Sequence, residues 1–448
     1  MGLFGSSKPA AAPEPGGKPA AAPEPAAPPS LEQSCQALLA ARGSTDANAL
    51  TNQLVQTILD FAVREGASDI HLEPNGDLLQ VRFRIDGALY DRLTISKKDL
   101  PITSQLRVMA GFSPQAATAY TPEDGSFQTA AANRPVRFRA SAFPTINGDK
   151  LVLRILDVGQ TALRLESLGF FADTLEKLQA AIKSPSGILF VCGITGGGKT
   201  TTLCSILRTL TRPETNIVTL EDPVEYELPR VVQSNINPKA GFGFADGLRS
   251  ILRQDPNVIM LGEVRDRETA EIAMRAALTG HLIFTTIHTI SAVGVVSRLI
   301  DMGIEPFLIG NAMLGALAQR LVRRVCAQCA QPSVSPGLDA AVESLAKLLE
   351  PDEADFLRSM AATPGGGFLS APGCPACNMT GYKGRVGIFE LLIFNKELQA
   401  LISAKADGSE LRKAAIRAGM KTMMMDAVAK AWAGVTTLDE VGRIAGAR

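Results

Sequence analysis

Residues 193–200 have the sequence GITGGGKT, which fits the phosphate-binding pattern G-x-x-x-x-G-K-T. An apolar run at 187–192 precedes it and a helical pattern follows at 201–211. In such loops, backbone N–H groups wrap the phosphates at the positive end of the helix dipole. We expect Lys199 to reach the β- and γ-phosphates of ATP and the Thr200 hydroxyl to bind Mg²⁺. The full set of expected nucleotide contacts is Gly193, Thr195, Gly196, Gly197, Gly198, Lys199, Thr200 and Thr201.

Two acidic clusters follow apolar runs that are typical of strands. Glu263 lies two residues after the predicted strand at 258–261, and Glu225 closes the segment EDPVE that follows the predicted strand at 216–220. Ligands of open α/β sheets bind at the carboxyl ends of the strands, so we expect both carboxylates beside the phosphate loop. We predict that Glu225 orients or deprotonates the attacking water and that Glu263 holds Mg²⁺. The reverse assignment stays open.

Two of the three histidines, His281 and His288, bracket the apolar run at 282–286. A single histidine is usually a structural hydrogen-bonding residue, but this bracketing favours groups that sense the nucleotide. We expect His281 to contribute to nucleotide binding and His288 to report the loss of the γ-phosphate.

Four of the seven cysteines form two C-x-x-C pairs, Cys326 with Cys329 and Cys374 with Cys377. Four thiolates in two such pairs are typical of a closed, structural Zn²⁺ site. An iron–sulfur cluster or unligated cysteines are the alternatives. We expect the site to staple a loop, because the pairs are further apart than in a short zinc ribbon.

The composition is that of an ordinary globular protein. The 448 residues are 46% hydrophobic and 20% charged, and 45 basic residues balance 45 acidic ones. Zero net charge argues against a protein that coats nucleic acid. No apolar run approaches the roughly 18 residues of a membrane helix, and no secretory signal is evident. We therefore expect a soluble intracellular protein.

The elements that position these motifs change in character along the chain. A helical pattern at 50–64 is followed by alternating runs at 79–85, 136–140 and 151–155, with turn signals at Asp86-Gly87, Asp124-Gly125 and Asn147-Gly148. From about residue 184, apolar strands alternate with helices, which predicts a mostly parallel α/β sheet. The predicted division is a disordered Pro/Ala-rich tail (1–30), an N-terminal α+β domain (31–156), a linker (157–183), a P-loop core (184–325), a four-cysteine segment (326–385) and a helical C-terminal region (386–448).

With these motifs in this order, the chain resembles the ATPases of type II secretion and type IV pilus assembly over roughly residues 48–445. Ile194 stands where the family commonly has Pro, and Asn257 where it usually has Asp; neither change removes a phosphate or metal ligand. The segments that carry the resemblance are ASDIHLEP at 67–74, VRFRIDG at 81–87, TLEDPVEY at 219–226, LRQDPNVIMLGEVRD at 252–266, TGHLIFTTIHT at 279–289 and CPACNMTGYKGRVGIFE at 374–390.

The resemblance implies a RecA-like ATPase core preceded by a small PAS-like domain, with a zinc-stapled insertion. It also implies a homohexamer that hydrolyses ATP at the cytoplasmic side of the inner membrane, bound peripherally through a membrane-embedded platform protein. Arg139 and Arg154 match family arginines that reach the phosphates from the N-terminal domain, and Arg249 and Arg253 match arginines on the ATPase side. We expect the larger N-terminal docking domain of many relatives to be absent.

Two other classes of function share the P-loop. A DNA translocase or helicase is disfavoured by the neutral charge and by the lack of a strand that combines aromatic and basic residues. A non-hydrolysing scaffold is disfavoured by the intact set of Lys199, Thr200, Glu225 and Glu263. In the family that the chain resembles, pilus-retraction members usually lack the four cysteines, so the resemblance favours assembly or secretion. The choice between pilus assembly and type II secretion stays open.

Overall fold

Alternating apolar and polar residues in the N-terminal part of the chain form an antiparallel sheet. The computed structural model of the protein describes residues 30–40, 46–97, 101–113, 120–156, 164–333, 337–362 and 367–446. The strands are β1 (Ala67–Asn75), β2 (Leu78–Ile85), β3 (Ala88–Ser96), β4 (Glu123–Ala131), β5 (Arg134–Thr145) and β6 (Gly148–Leu156). They form one six-stranded sheet in the order β3-β2-β1-β6-β5-β4.

Helices cover one face of this sheet and leave the other face polar. The helices are α1 (Leu31–Ala40), α2 (Ala47–Arg64) and α3 (Ile102–Met109). Leu50, Leu54 and Ile58 recur at helical spacing on α2 and are buried against the strands. The chain turns at Gly66, two residues after the end of α2, where a φ of +70° is a left-handed conformation that glycine adopts without strain.

The turns of this domain agree only in part with the sequence signals. Asp86 and Gly87 form the β2–β3 turn, with φ of 48° and 88°. The signal at Asp124-Gly125 is wrong, because both residues lie inside β4. Gly125 is required there for packing, since a Cβ would lie 2.3 Å from the Ala110 carbonyl oxygen. The β4–β5 turn is instead made by Ala132 and Asn133, both at positive φ.

The second half of the chain forms a mostly parallel sheet, as its strand and helix alternation predicts. Its strands are β7 (Gly187–Cys192), β8 (Ile217–Glu221), β9 (Val232–Asn235), β10 (Val258–Leu261), β11 (Leu282–Ile287), β12 (Met313–Val325) and β15 (Tyr382–Ile393). They form a seven-stranded sheet in the order β15-β12-β7-β11-β10-β8-β9, in which only β15 runs antiparallel to its neighbour. Two short strands, β13 (Gln331–Pro332) and β14 (Leu369–Ser370), pair outside it.

Helices pack on both faces of this sheet over separate apolar cores. They are α4 (Ala172–Ala181), α5 (Lys199–Leu210), α6 (Phe244–Ile251), α7 (Arg267–Leu278), α8 (Ala292–Asp301), α9 (Pro306–Ala312), α10 (Gly337–Ala346), α11 (Pro351–Ala361), α12 (Lys396–Ser403), α13 (Gly408–Arg417), α14 (Met423–Trp432) and α15 (Leu438–Ala445). Within the described part of the chain, no helix combines the length and apolar character needed to cross a membrane.

Three segments differ from the sequence expectations or lie beyond the structure. The predicted tail falls outside the described residues except for Ser30, as do positions 157–163 of the predicted linker. The rest of that linker is packed on the core: Leu165 and Ile182 are fully buried, and the Phe170 ring stacks on Phe389 at 3.6 Å. The predicted helical region at 386–448 begins with strand β15, whose apolar residues are buried in the sheet.

Candidate active site

The glycine-rich loop connects the carboxyl end of β7 to the first turn of α5. Gly196 and Gly198 have φ of 76° and 87°, which a residue with a side chain adopts only under strain. At Gly193, a Cβ would lie 2.3 Å from the backbone oxygen of Gln319 on β12. The loop therefore needs glycine both for its turns and for its close approach to the neighbouring strand.

Gln319 on β12, for which the sequence motifs predicted no role, holds this loop in place. Its side chain is buried, its Nε2 donates to the Gly197 carbonyl at 2.8 Å, and its Oε1 accepts from the Thr202 hydroxyl at 2.8 Å. The only signal in the sequence is a polar residue within the apolar run of β12. Nothing in the chain order indicates that this strand lies beside β7.

Lys199 and its neighbours lie at the start of α5. The Lys199 ammonium donates to the carbonyls of Gly193 at 2.9 Å and Ile194 at 3.1 Å. Burial lowers the pKa of Lys199, against a smaller opposing effect from nearby acidic groups. Thr201 hydrogen-bonds the side chain of Tyr226, another residue without a predicted role.

A cleft beside the loop gathers the predicted acidic groups. The residues that line it include Thr200, Glu221, Asp222, Glu225, Glu263 and His288. Glu263 contacts Arg265 at 2.5 Å and His288 at 3.2 Å through its carboxylate oxygens. Burial opposes ionisation of Glu263, but these two partners outweigh it and hold the pKa of Glu263 below its ordinary value. Arg265, for which the motifs predicted no role, lies two residues after Glu263 in the segment LRQDPNVIMLGEVRD.

Two glutamates that frame the EDPVE segment have different surroundings. Glu221, at the end of β8, is buried and accepts hydrogen bonds from Thr219 at 2.6 Å and Gln233 at 3.0 Å. Burial raises the pKa of Glu221. Glu225 is half-buried, and no cation among the described residues forms a salt bridge with its carboxylate. The cleft thus holds one carboxylate that contacts Arg265 and His288 and another that forms no salt bridge among the described residues.

The two predicted histidines lie at opposite ends of β11. His288 follows the strand and faces the cleft, whereas His281 precedes it, where its Nδ1 contacts the Ala276 carbonyl at 3.1 Å. A strand of six residues rises roughly 20 Å, so the structure brings only His288 to the phosphate loop. The bracketing pattern itself contained this information, because flanking residues of a strand cannot both lie at one edge of a sheet.

The four predicted arginines form two separate pairs. Arg139 and Arg154 lie directly opposite each other on β5 and β6, on the exposed face of the N-terminal sheet. Arg249, on α6, pairs with Glu268 and, at 3.0 Å, with Asp246. Arg253 follows α6 and donates to the Arg249 carbonyl at 2.9 Å. Arg249 and Arg253 are not among the residues that line the cleft.

The exposed arginine face of the N-terminal sheet approaches the cleft. Arg137, two residues before Arg139 on the same face, pairs with Glu227 at 2.9 Å. Glu227 lies two residues after Glu225. Alternate residues of a strand are roughly 7 Å apart, so this contact places Arg139 in the neighbourhood of the acidic segment.

The four cysteines of the two C-x-x-C pairs come together where β12 ends and β15 begins. Their sulfur atoms all lie within 4.8 Å of one another. Cys326 is 3.9 Å from Cys374, Cys329 is 3.9 Å from Cys377, and Cys374 is 3.8 Å from Cys377. A tetrahedral Zn²⁺ with Zn–S bonds of about 2.3 Å requires sulfur atoms about 3.8 Å apart, so the cluster fits zinc.

The backbone around the second pair also suits a metal site. The amides of Cys374 and Gly381 donate to the Cys377 sulfur, each at 3.2 Å, and would stabilise a thiolate. Gly381 has a φ of 80°, and a Cβ there would lie 2.2 Å from the Ala371 carbonyl oxygen. This glycine allows the chain to fold tightly around the sulfur.

Comparison with known proteins places these features in a family. The family model described as "Type II/IV secretion system protein" matches residues 44–443. The chain is 43% identical over 393 residues to the type II secretion system ATPase E of Vibrio cholerae serotype O1, a match that covers 88% of this chain and 75% of that protein. It is 42% identical over 393 residues to the type IV pilus assembly ATPase PilB of Thermus thermophilus, covering 87% of this chain and 42% of that protein.

Among solved structures, the fold is similar to that of the pilus retraction motor PilT with bound ADP. The two chains are 26% identical, and the TM-score is 0.57. The match covers 86% of this chain and 94% of the PilT chain, so it spans both the N-terminal domain and the ATPase core.

Proposed function

The chain belongs to the type II/IV secretion system protein family, and on that basis we propose that it is an ATP-hydrolysing motor that powers assembly of a type IV pilus or a type II secretion pseudopilus. The observation that carries the proposal is the cleft in which the P-loop residue Thr200 meets Glu225 and Glu263. This arrangement provides a phosphate cradle, oxygen groups suitable for Mg²⁺ and a candidate base.

The surroundings of the carboxylates support a division of their roles. Glu225 forms no salt bridge among the described residues, so it is the better candidate to accept a proton from the attacking water or to orient it. Glu263 is kept ionised by Arg265 and His288 and, with the Thr200 hydroxyl, would hold Mg²⁺. Bound Mg²⁺ would neutralise the charge that develops on the phosphates.

His288 is proposed as the group that reports the loss of the γ-phosphate. It contacts Glu263 at 3.2 Å, and α8 begins four residues after it. Loss of the γ-phosphate would therefore act on His288, which lies four residues before the start of α8. The cleft of this chain is not lined by His281, Arg249 or Arg253. These residues would contribute to nucleotide binding only at the cleft of a neighbouring subunit.

Arg139 and Arg154 are proposed as the cationic groups that stabilise the transition state. Like charges directly opposite each other destabilise a sheet, so this pair has a local cost that an anion between them would offset. In this mechanism the N-terminal domain closes over ATP and brings the arginines to the γ-phosphate. Hydrolysis and reopening would then move the domain.

The finer features of the motor are also proposals. We propose a homohexamer, bound peripherally on the cytoplasmic side of the inner membrane through a membrane-embedded platform protein, with no nucleic acid partner. Cys326, Cys329, Cys374 and Cys377 would hold a structural Zn²⁺.

Phosphate release by the purified full-length protein tests the proposed activity. Lys199→Ala should abolish hydrolysis without loss of the fold, because this ammonium stabilises phosphate charge and does not belong to the apolar core. Lys239→Ala, which changes an exposed lysine away from the cleft, is the control and should retain full turnover. If Lys199→Ala hydrolyses ATP at a rate near that of the unchanged protein, the active-site assignment is wrong.

A further inference from the structure

The strand register of the N-terminal sheet places one acidic side chain between two arginines. Asp69 on β1 lies opposite Arg84 on β2 and opposite Arg154 on β6. Its Oδ1 accepts a hydrogen bond from the Arg154 Nε at 3.1 Å, and its Oδ2 is 3.8 Å from the Arg84 Nε. Arg139 continues this row beyond Arg154.

Arg154 contacts Asp69 through the Nε atom of its guanidinium. Only Nε bonds to Asp69, so the two terminal nitrogens form no hydrogen bond with this carboxylate. The Asp69 side chain is 10% exposed and that of Arg154 is 54% exposed. A nearly buried carboxylate thus holds the base of an exposed arginine whose tip remains available to an anion.

Asp69 is itself held in place. The Ser68 hydroxyl donates to its Oδ2 at 2.8 Å, and both neighbouring strands pair with β1 at this position. Its charge also reduces the repulsion between Arg154 and Arg139. A long arginine side chain that is already oriented loses less freedom when it contacts a phosphate in the transition state.

We propose that Asp69 is a positioning residue that orients Arg154 toward the γ-phosphate. This inference rests on the proposed role of Arg154 and assigns a function to the aspartate of the segment ASDIHLEP. Asp69 does not touch the nucleotide in this mechanism; it acts only through the arginine.

The test is a double-mutant cycle in the full-length protein, measuring turnover at saturating ATP and nucleotide affinity. Arg154→Ala should lower turnover by roughly 10³ if the arginine acts as a finger. Asp69→Ala should lower it by about tenfold to a hundredfold, the size of a positioning effect, and leave affinity unchanged. Asp69→Asn, which keeps an acceptor oxygen, should recover part of the loss. In the Arg154→Ala background, Asp69→Ala should have no further effect.

Glu73→Ala is the matched control. Glu73 lies on the same strand and the same face but pairs with Arg82 and, at 2.6 Å, with Lys150, so its loss should leave turnover near normal. Additive effects of Asp69→Ala and Arg154→Ala, or full turnover of Asp69→Ala beside an impaired Arg154→Ala, would overturn the positioning role alone. Full turnover of Arg154→Ala would overturn both this inference and the proposed finger.

Discussion

At the scale of single residues, the phosphate loop depends on a side chain from a distant part of the sequence. Gln319 is separated from Gly197 by 122 positions, yet its amide bonds both the loop and Thr202 on α5. It is 2% exposed, so water cannot replace these hydrogen bonds if the amide is removed. Unsatisfied buried polar groups cost about 1–3 kcal/mol each.

We therefore expect Gln319→Leu to weaken both stability and nucleotide binding. The substitution leaves the Gly197 carbonyl and the Thr202 hydroxyl without a partner, which should lower the free energy of unfolding by about 2 kcal/mol or more. Urea denaturation and ATP titration measure the two effects. Gln128→Leu, at an exposed position on β4, should change neither. Normal ATP affinity in Gln319→Leu would show that the loop keeps its shape without this support.

At the scale of elements, the last helix is fastened to the ATPase sheet by one buried carboxylate. Glu440, on α15, bonds Arg323 of β12 at 2.7 Å and Arg443 at 2.9 Å, and it accepts the Arg323 backbone amide at 2.9 Å. Burial alone would raise the pKa of Glu440, but these donors outweigh it and hold the pKa below its ordinary value.

The stability that Glu440 contributes should depend on pH in a defined direction. Because the pKa is lower in the folded protein, the contribution is complete above the unfolded value and is lost as pH falls through the folded value. Glu440→Gln should cost about 3 kcal/mol at pH 7, as expected for a broken buried ion pair, and the deficit should shrink in acid. Denaturant unfolding across pH 3–7 measures it. Asp439→Asn, exposed in the same helical turn, should have little effect, and a deficit independent of pH would contradict the assignment.

The cysteine cluster joins two elements, since it lies between the end of β12 and the start of β15. We expect one zinc per chain by elemental analysis, and we expect Cys374→Ser to lose it. Loss of the metal should increase amide hydrogen exchange near residues 367–381 and change ATP affinity little, because the phosphate loop is held separately by Gln319. Cys35→Ser, in the N-terminal domain, should retain the zinc. A purified protein with no zinc, or with an iron chromophore, would contradict this prediction.

At the scale of the whole molecule, the two large units have separate cores and limited polar contact. The buried residues of the N-terminal core all lie within 31–153, and those of the ATPase cores begin at Leu165. Between the units, Asp86 accepts the Gly384 amide at 2.9 Å and lies 3.7 Å from the Arg385 Nε, and Arg137 forms an exposed pair with Glu227. Exposed ion pairs contribute about 0–1 kcal/mol, so these contacts permit the closing movement that we propose.

A chain that begins at Arg164 tests this mechanism. It retains every buried residue of both ATPase cores, so it should fold and bind ATP. Its turnover should fall by roughly 10³, because Arg139 and Arg154 are lost with the N-terminal domain. Turnover and nucleotide affinity are compared with those of the full chain. Equal turnover would mean that the N-terminal domain supplies no catalytic group.

The sequence alone was sufficient for features that depend on neighbouring residues. The P-loop could be predicted because its function depends on consecutive backbone groups between a strand and a helix. The strands at 187–192 and 258–261 were predicted with their observed bounds, since a short apolar run is a local signal. The family resemblance combined several such local motifs in a fixed order.

Only the tertiary structure decided which distant residues meet. It brought Gln319 to the phosphate loop through the pairing of β12 with β7. It also set the register that puts Asp69 beside Arg154. Each of these contacts depends on which strands pair and in what register. The burial of whole sheet faces determines the pairing and the register, so no short stretch of sequence encodes them.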